Sequence, residues 1–232
     1  MNNIFGGNGN RKPDYLKRFV EKDLGNDPVF SPMDPPDAYR PPAMEAVPSE
    51  WLHPVLQYFM QEHNTALEKI DQLEATLIEI RKEGISKERN TKLGAFFAFL
   101  DDRIVLHNLK EERALFPYIH DRMLDNGEHS AGPIPDTAVD MLENDHIKTM
   151  ELATLTFSLM GLSSRMVDPM SKSLLLDTGI EQGLALVELL RLHIFREDNV
   201  VFPLAHKYLT PEDYEGILKK MKRYFSIDLF KG

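Results

Sequence analysis

Residues 107–120 read HNLKEERALFPYIH, and residues 193–206 read HIFREDNVVFPLAH. In both segments a histidine is followed by glutamate at the fourth position after it, a second acid at the fifth, Phe-Pro at the ninth and tenth, and another histidine at the thirteenth. Two further histidines, His63 and His146, lie 44 and 47 residues before the two copies (107−63 and 193−146). A duplicated His-x-x-x-Glu with one distant histidine per copy is the ligand set of a two-metal site inside a helical bundle.

The composition is that of a globular protein without cysteine chemistry. Of 232 residues, 42% are hydrophobic and 28% are charged, which allows one large domain with a buried core. Because the chain has no cysteine, disulfides, thiolate zinc sites, cysteine-ligated iron–sulfur clusters and a cysteine nucleophile are excluded. The net charge of −10 argues against nucleic acid and anionic membranes as partners. No apolar run resembles a signal peptide or a membrane span, so we expect a cytoplasmic protein.

Residues 1–50 differ from the rest of the chain in their glycine and proline content. They contain the sequence GGNG and seven prolines between positions 28 and 48, too many for an element of a helical bundle. Residues 14–24 could form a short helix. We expect a Pro/Gly-rich N-terminal extension, either a poorly ordered tail or an arm that wraps the bundle or binds a protein partner. The second interpretation rests on the apolar side chains Tyr15, Phe19, Val20, Phe30 and Tyr39.

From residue 51 onward the hydrophobic period is helical, and no run has the period of a β-strand. We predict an all-α protein: an up-down-up-down four-helix bundle over residues 51–208, followed by residues 209–232 with a short C-terminal helix. The predicted helices cover residues 51–82, 89–124, 136–161, 171–208 and 211–224.

Capping residues and apolar side chains complete this prediction. Ser49 and Glu50 are expected to open the first helix, Asp136 to cap the third, and Thr210 with Pro211 to begin the last. A proline inside a helix removes one backbone hydrogen bond, so both Phe-Pro steps are expected to bend their helices. The expected core includes Phe96, Phe97, Phe99, Leu100, Leu155, Phe157, Leu186, Leu189 and Leu190.

Each copy of the repeat can direct two metal ligands into the bundle. Residues four apart share a helix face, so His107 points the same way as Glu111, and His193 the same way as Glu197. Neutral imidazoles together with carboxylates suit borderline divalent metals such as iron. Accidental burial of two carboxylates without a cation would cost several kcal/mol for each group, which favours metal binding.

The predicted centre has two metal positions, one for each pair of histidines. Because two nearby cations repel each other, carboxylates are expected to bridge them; Glu111 is one candidate bridge, and either Glu197 or Asp198 is the other. The candidate ligands are His63, His107, Glu111, His146, His193 and Glu197, with Asp198 and Glu112 as further candidates.

Several of the remaining polar residues have simpler interpretations. Glu112 and Asp198 could instead be solvated or pair with Arg113 and Lys207. The histidines thirteen residues after the ligand histidines fall far around the helix, which makes them poor ligands. The histidines expected to be structural or surface residues are His53, His120, His129 and His206.

The paired motif resembles that of the hemerythrin-like HHE cation-binding domain family over residues 51–208. It consists of His63, His107-x-x-x-Glu111 and Leu-Phe-Pro, repeated as His146, His193-x-x-x-Glu197 and Val-Phe-Pro. The resemblance implies a four-helix bundle that holds two non-haem iron ions bridged by carboxylates. Members of that family bind dioxygen reversibly, sense oxygen or iron, or protect against oxidative and nitrosative damage, and others have oxidase or peroxidase-like activities.

The chain departs from the oxygen-carrying members of that family at one ligand. The carriers have a fifth histidine four residues after the histidine of the third helix, where this chain has Met150. A thioether is a poor ligand for ferric iron, so this coordination position is expected to be vacant or filled by water or another side chain. The carriers also use an aspartate that Asp198 matches, whereas symmetric relatives use a glutamate that Glu197 matches. The resemblance therefore leaves the second bridge open.

We expect a di-iron protein whose site reacts with dioxygen, peroxide or nitric oxide, as a sensor or in a stress response. The alternative is an oxidase or peroxidase-type enzyme, which predicts a pocket for a small substrate beside the metals. A third interpretation is a structural adaptor that works through its acidic surface. In that case the four candidate ligand histidines are dispensable.

Overall fold

The computed structural model describes residues 47–227 and residue 229, and these residues form helices without any strand. The predicted all-α architecture is therefore confirmed, while the N-terminal extension, including the expected helix over residues 14–24, lies outside the described residues. The elements are a 3₁₀ turn (Ser49–Trp51) and five helices: α1 (Pro54–Glu83), α2 (Lys87–Phe99, Leu100–Ile104, Val105–Lys110, Glu111–Leu115 and Phe116–Asp125), α3 (Ala138–Ser163), α4 (Pro169–Arg196, Glu197–Val201 and Phe202–Tyr208) and α5 (Pro211–Phe225).

The first four helices form the predicted up-down-up-down bundle. α1 packs on α2 and α4, and α3 packs on the same two helices, so that consecutive helices are neighbours. α5 packs against Glu111–Leu115 of α2 and contributes Tyr214, Ile217 and Met221 to the core. None of the described helices is both long and apolar enough to cross a membrane.

The start of α1 differs from the sequence prediction. Ser49 and Glu50 belong to the 3₁₀ turn, and His53 caps the helix instead, with its Nδ1 accepting a hydrogen bond from the Val55 N–H at 3.2 Å. Pro54 follows at the first helical position, where a missing N–H has no cost. The proline therefore sets the start of the helix.

The cap of α3 is also shifted, by one residue. Thr137, not Asp136, caps α3 and forms a capping box with Asp140. A threonine with an acid three residues later satisfies two free backbone N–H groups, which Asp136 with Val139 could not do. The predicted start of α5 at Thr210 and Pro211 is confirmed.

Two hydrophobic clusters fill the bundle on either side of a buried polar layer. One contains Phe59, Phe116 and Phe202, and the other contains Ile70 and Leu190. The six candidate metal ligands occupy the layer between the two clusters.

Leu155 and Phe157 do not belong to the core, which corrects the sequence prediction. Their exposed fractions are 45% and 62%. The buried face of α3 runs through Leu152, Thr156 and Met160, and positions 155 and 157 lie beside this face. The prediction included these two residues because they are apolar, although the helical period places them outside the buried face.

A π-helical turn precedes each Phe-Pro step. In Glu111–Leu115 and Glu197–Val201, the N–H of the next phenylalanine donates to the carbonyl oxygen of the glutamate five residues earlier. Proline lacks an N–H and its ring crowds the preceding turn, so a wider turn relieves the clash. A third π-helical turn, Leu100–Ile104, lies in α2 just before the ligand histidine. The corresponding part of α4, all of it described, is a regular α-helix over Pro169–Arg196.

Candidate metal centre

Four histidines meet in the polar layer, one from each bundle helix. The Nε2 atoms of His63 and His107, here called the first pair, lie 3.0 Å apart. Those of His146 and His193, the second pair, lie 3.3 Å apart. All four residues are buried. Two facing imidazole nitrogens can share at most one proton, so each pair directs lone-pair electrons at a common point, as ligands of one cation do.

Glu111 and Glu197 each span the two pairs of histidines. The Oε1 atom of Glu111 lies 3.1 Å from Nε2 of His107 in the first pair, and its Oε2 atom lies 3.5 Å from Nε2 of His146 in the second pair. The Oε2 atom of Glu197 lies 3.1 Å from Nε2 of His63 in the first pair, and its Oε1 atom lies 3.2 Å from Nε2 of His193 in the second pair. Both glutamates therefore belong to two clusters of ligand atoms, each within 4.8 Å: His63, His107, Glu111 and Glu197, and Glu111, His146, His193 and Glu197.

The two glutamates carry the most informative polar atoms of the layer. Both residues are 0% exposed, and within the described part of the chain none of their four carboxylate oxygens has a hydrogen-bond partner. A buried carboxylate without a hydrogen bond or a cation costs several kcal/mol. Nitrogen and oxygen atoms about 2.0–2.2 Å from one cation lie roughly 3.0–3.5 Å from each other, the spacing found in both clusters. The donor set therefore fits two metal ions that share both glutamates.

Without a cation, the layer attracts protons instead. Burial alone lowers the pKa of an imidazole, but Asp198 and Glu197 raise the pKa of His63 to about 10. Burial likewise opposes the charged form of His193, whereas Glu197 and Asp145 raise its pKa to about 10. The carboxylates therefore create a negative potential strong enough to stabilise positive charge inside the bundle.

A second ring of carboxylates contacts the outer nitrogens of the histidines. The Nδ1 atom of His63 lies 2.8 Å from Asp198, and that of His146 lies 2.8 Å from Glu112. Asp198 and Glu112, which the sequence offered as further ligand candidates, thus lie on the far side of the imidazole rings from the clusters. An acid at this position orients the ring and directs its other nitrogen toward the metal site.

The same ring contains two acids that the sequence prediction did not assign to the site. Glu62 lies 2.9 Å from Nδ1 of His107, and Asp145 lies 3.6 Å from Nδ1 of His193. A signal for them is visible in the sequence, because an acid directly precedes a candidate ligand histidine in both halves of the bundle, the first formed by α1 and α2 and the second by α3 and α4. These acid–histidine pairs are Glu62-His63 and Asp145-His146. What each acid contacts depends on helix packing, which the spacing does not specify.

A basic residue in turn holds each of these two acids. Lys110, 1% exposed, donates to both carboxylate oxygens of Glu62 and to the Tyr58 hydroxyl at 2.9 Å. Burial favours the neutral form of Glu62, but hydrogen bonds from His107 and Lys110 lower its pKa to about 2. At the matching place in the second half, Arg196 donates to Asp145 at 2.7 Å.

The two Phe-Pro phenylalanines stack on the histidines of the opposite half. The Phe202 ring lies 5.6 Å from the His63 ring, with 5° between the two planes. The Phe116 ring lies 5.8 Å from the His146 ring, with 14° between the planes. The repeated phenylalanine therefore fixes the orientation of a ligand ring in addition to filling the core.

A family model for the hemerythrin HHE cation binding domain matches residues 55–205 of this chain. The chain belongs to the hemerythrin HHE cation-binding family. The match covers the bundle and all six candidate ligands, which confirms the resemblance found in the sequence. Comparison with curated proteins finds no significant match to this chain.

A cavity of about 470 Å³ adjoins the two clusters of this HHE domain. Its lining includes all four ligand histidines together with apolar side chains of the second hydrophobic cluster. The enzyme alternative predicted a pocket beside the metal site, and this cavity agrees with that prediction.

Met150 does not face the centre of this HHE domain. It is 40% exposed, whereas Thr149, one residue earlier, is buried and lines the cavity. The side chain that faces the cavity near the missing fifth histidine is therefore a small hydroxyl.

The other four histidines lie outside both clusters, as the sequence predicts. His53 caps α1 and stacks on Tyr214 at 3.7 Å, and His120 contacts the Thr137 hydroxyl at 3.0 Å. His129 lies 2.8 Å from the backbone carbonyl of Ser130, and His206 is exposed.

Proposed function

We propose that this HHE domain binds two non-haem iron ions and reacts through them with dioxygen, peroxide or nitric oxide, in oxygen, redox or iron sensing or in a stress response. The observation that carries the proposal is the pair of clusters that share Glu111 and Glu197. Each cluster offers two imidazole nitrogens and two carboxylate oxygens, a donor set that suits iron better than softer metals.

Each group of residues has a proposed role at the centre. His63 and His107 would hold one ion, His146 and His193 the other, and both glutamates would bridge them. Asp198, Glu62 and Glu112 would accept the Nδ1 protons of the histidines they contact and so keep Nε2 free for a metal. Iron held in this way supplies reversible electron transfer and coordination positions for a small ligand.

The walls of the cavity support reactivity with small ligands. Apolar side chains such as Ile104, Leu190 and Ile194 line it beside the histidines, which limits the access of water to the ions. Because Met150 does not line the cavity and the small Thr149 does, a coordination position would face the cavity. A site of this kind suits sensing or redox chemistry better than oxygen storage.

An oxidase or peroxidase acting on a small substrate is the second candidate. The size of the cavity favours it, since about 470 Å³ exceeds the space that a diatomic ligand occupies.

The test begins with anaerobic purification and metal analysis of the full chain. We expect about two irons per chain, and absorption bands that appear when air is admitted. Bands that reverse on deoxygenation support a sensor, and bands that decay as a substrate is consumed support an enzyme. One zinc per chain, or no iron after aerobic and anaerobic loading, would overturn the di-iron proposal.

Single variants then test the ligands. His107→Ala and His193→Ala should each lower both the iron content and the melting temperature, because bound metal stabilises the folded state by mass action. His206→Ala, an exposed histidine on the same helix as His193, is the matched control. If either ligand variant keeps the full iron content, that histidine is not a ligand. If the cellular function survives in both, the structural adaptor is correct.

The cytoplasmic location and a protein partner for residues 1–50 remain predictions from the sequence. Fractionation of cells that express the full chain, and of a variant without residues 1–50, would test both.

A further inference from the structure

The cavity beside the clusters is large enough for an organic molecule. Its volume is about 470 Å³. Pockets that hold small organic ligands begin at about 300 Å³. We propose that this cavity binds an organic monocarboxylate with an apolar body, and that Arg103 binds the carboxylate. The proposal rests on the proposed function, because it places such a molecule beside the two ions.

The inner walls of the cavity suit an apolar body. Six apolar residues from three helices line it, and five of them are buried members of the second hydrophobic cluster. Burial of a hydrocarbon chain against such a wall contributes about 0.8 kcal/mol per methylene group. The lining residues concerned are Ala66, Ile70, Phe99, Ile104, Leu190 and Ile194.

Arg103 supplies the positive charge at the rim. It lines the cavity and is exposed, and no described residue forms an ion pair or a hydrogen bond with it. Thr65, also exposed, lies on the rim contributed by α1. An arginine without a carboxylate partner, in a chain with a net charge of −10, is a ready site for an anion.

The acid in the cavity lining does not cancel this charge. Glu62 lines the cavity, but it is already hydrogen-bonded to Lys110 and to His107. Arg103 therefore remains the uncompensated charge among the lining side chains, apart from any metal ions. Arg103 and the metal ions would both attract an anion.

The helix geometry sets the position of the carboxylate. Arg103 precedes His107 by four residues on α2, so the two side chains share a face about 6 Å apart along the axis. The π-helical turn Leu100–Ile104 contains Arg103 and Ile104, and Phe99 directly precedes it. All three residues line the cavity, so this turn directs both the charge and part of the apolar wall toward the bound molecule.

Three probes separate the parts of this proposal: octanoate, octan-1-ol and acetate. Binding to the iron-loaded full chain is measured by isothermal titration calorimetry. We expect saturable binding of octanoate. Octan-1-ol and acetate should each bind at least about tenfold more weakly, because octan-1-ol lacks the carboxylate and acetate lacks the apolar chain. Equal binding of octan-1-ol and octanoate would overturn the anion, and equal binding of acetate would overturn the apolar wall.

Two arginine variants form a matched pair. Arg103→Gln should weaken octanoate binding by about tenfold and leave octan-1-ol binding unchanged. Arg113→Gln removes an exposed arginine of the same helix outside the cavity lining, and should leave the binding of all three probes unchanged. If Arg103→Gln binds octanoate as the wild type does, a carboxylate that binds iron directly explains the affinity, and the role of Arg103 is overturned.

Metal analysis of the same samples separates this inference from the proposed function. Two irons per chain without octanoate binding would overturn the cavity proposal alone. Octanoate binding that depends on Arg103 in a chain unable to hold iron would overturn the proposed function alone.

Discussion

The two halves of this HHE domain agree at the metal centre and differ in the shell around it. Each half contributes two histidines, one shared glutamate, two outer acids and one stacked phenylalanine. In the first half, however, α2 has an additional π-helical turn, and α1 and α2 provide most of the cavity lining. In the second half, α4 is regular before its ligand histidine and packs closely on its neighbours.

Two glycines of α4 allow its close packing on α1 and α3. A Cβ at Gly183 of α4 would lie 2.8 Å from Leu77 and 3.2 Å from Thr156. A Cβ at Gly179 would lie 3.1 Å from Met160. By contrast, a Cβ at Gly94 of α2 would meet no atom within 4 Å. A symmetric set of candidate ligands therefore lies inside an asymmetric bundle, beside a cavity that is lined mostly by α1 and α2.

The largest expected effect tests whether the halves share one centre. Glu111→Gln and Glu197→Gln each remove a charge from both clusters, so each should reduce the iron content from about two to below about 0.5 per chain. Glu112→Gln changes an outer acid and should keep most of the iron. Metal analysis with circular dichroism, which checks that the helices persist, gives the answer. The loss of a single iron in each glutamate variant would mean that the halves bind metal independently.

A pH titration tests the symmetry of the centre in the metal-free protein. The raised pKa values of His63 and His193, about 10 against 6.5 unfolded, contribute stability below pH 6.5 that is lost as the pH rises through 10. We expect the free energy of unfolding to fall by roughly 3 kcal/mol over that interval, less than two independent titrations would give. Urea denaturation at several pH values measures it.

Variants locate that pH effect. His63→Gln in the first half and His193→Gln in the second half should each reduce the pH dependence of the free energy of unfolding by a similar amount. His206→Gln should leave this pH dependence unchanged. A pH dependence that only one of the two variants reduces would show that the two halves differ at the centre itself.

The basic residues behind the outer acids should reveal the asymmetry of the shell. Lys110→Met leaves the half-buried Glu62 without its cation and should lower the free energy of unfolding by about 2 kcal/mol. Arg196→Met should lower it by less than about 1 kcal/mol, because the Arg196 side chain is 28% exposed and that of Lys110 only 2%. Urea unfolding of the iron-loaded variants compares them, and equal losses would contradict the proposed difference.

The smallest effect concerns the glycines. Gly94→Ala should stabilise the protein by about 0.5–1 kcal/mol, because alanine has the higher helix propensity and the site is open. Gly183→Ala should destabilise it by about 1 kcal/mol, since crowding against Leu77 and Thr156 exceeds that gain. Thermal unfolding of the two variants shows whether each substitution raises or lowers the melting temperature. Stabilisation by both would show that the second half is not packed as tightly as described.

The sequence predicted the fold and brought the six candidate ligands to one level of the bundle. Helical spacing placed His107 with Glu111, and the repeat implied the same for His193 with Glu197. It did not predict the outer contacts of Glu62 and Asp145, because these contacts join different helices. It also placed Leu155 and Phe157 in the core, where the rotation of α3 does not allow them.

The amino-acid sequence by itself determined which side chains could bind metal and how the bundle is ordered, because both follow from periodicities along single helices. Only the tertiary structure decided that Glu111 and Glu197 each face both pairs of histidines, that Asp198 and Glu112 contact the outer nitrogens, and that the first half provides most of the cavity lining. These features depend on the rotation and separation of neighbouring helices. Glycines, π-helical turns and side-chain packing set these quantities jointly over the whole bundle.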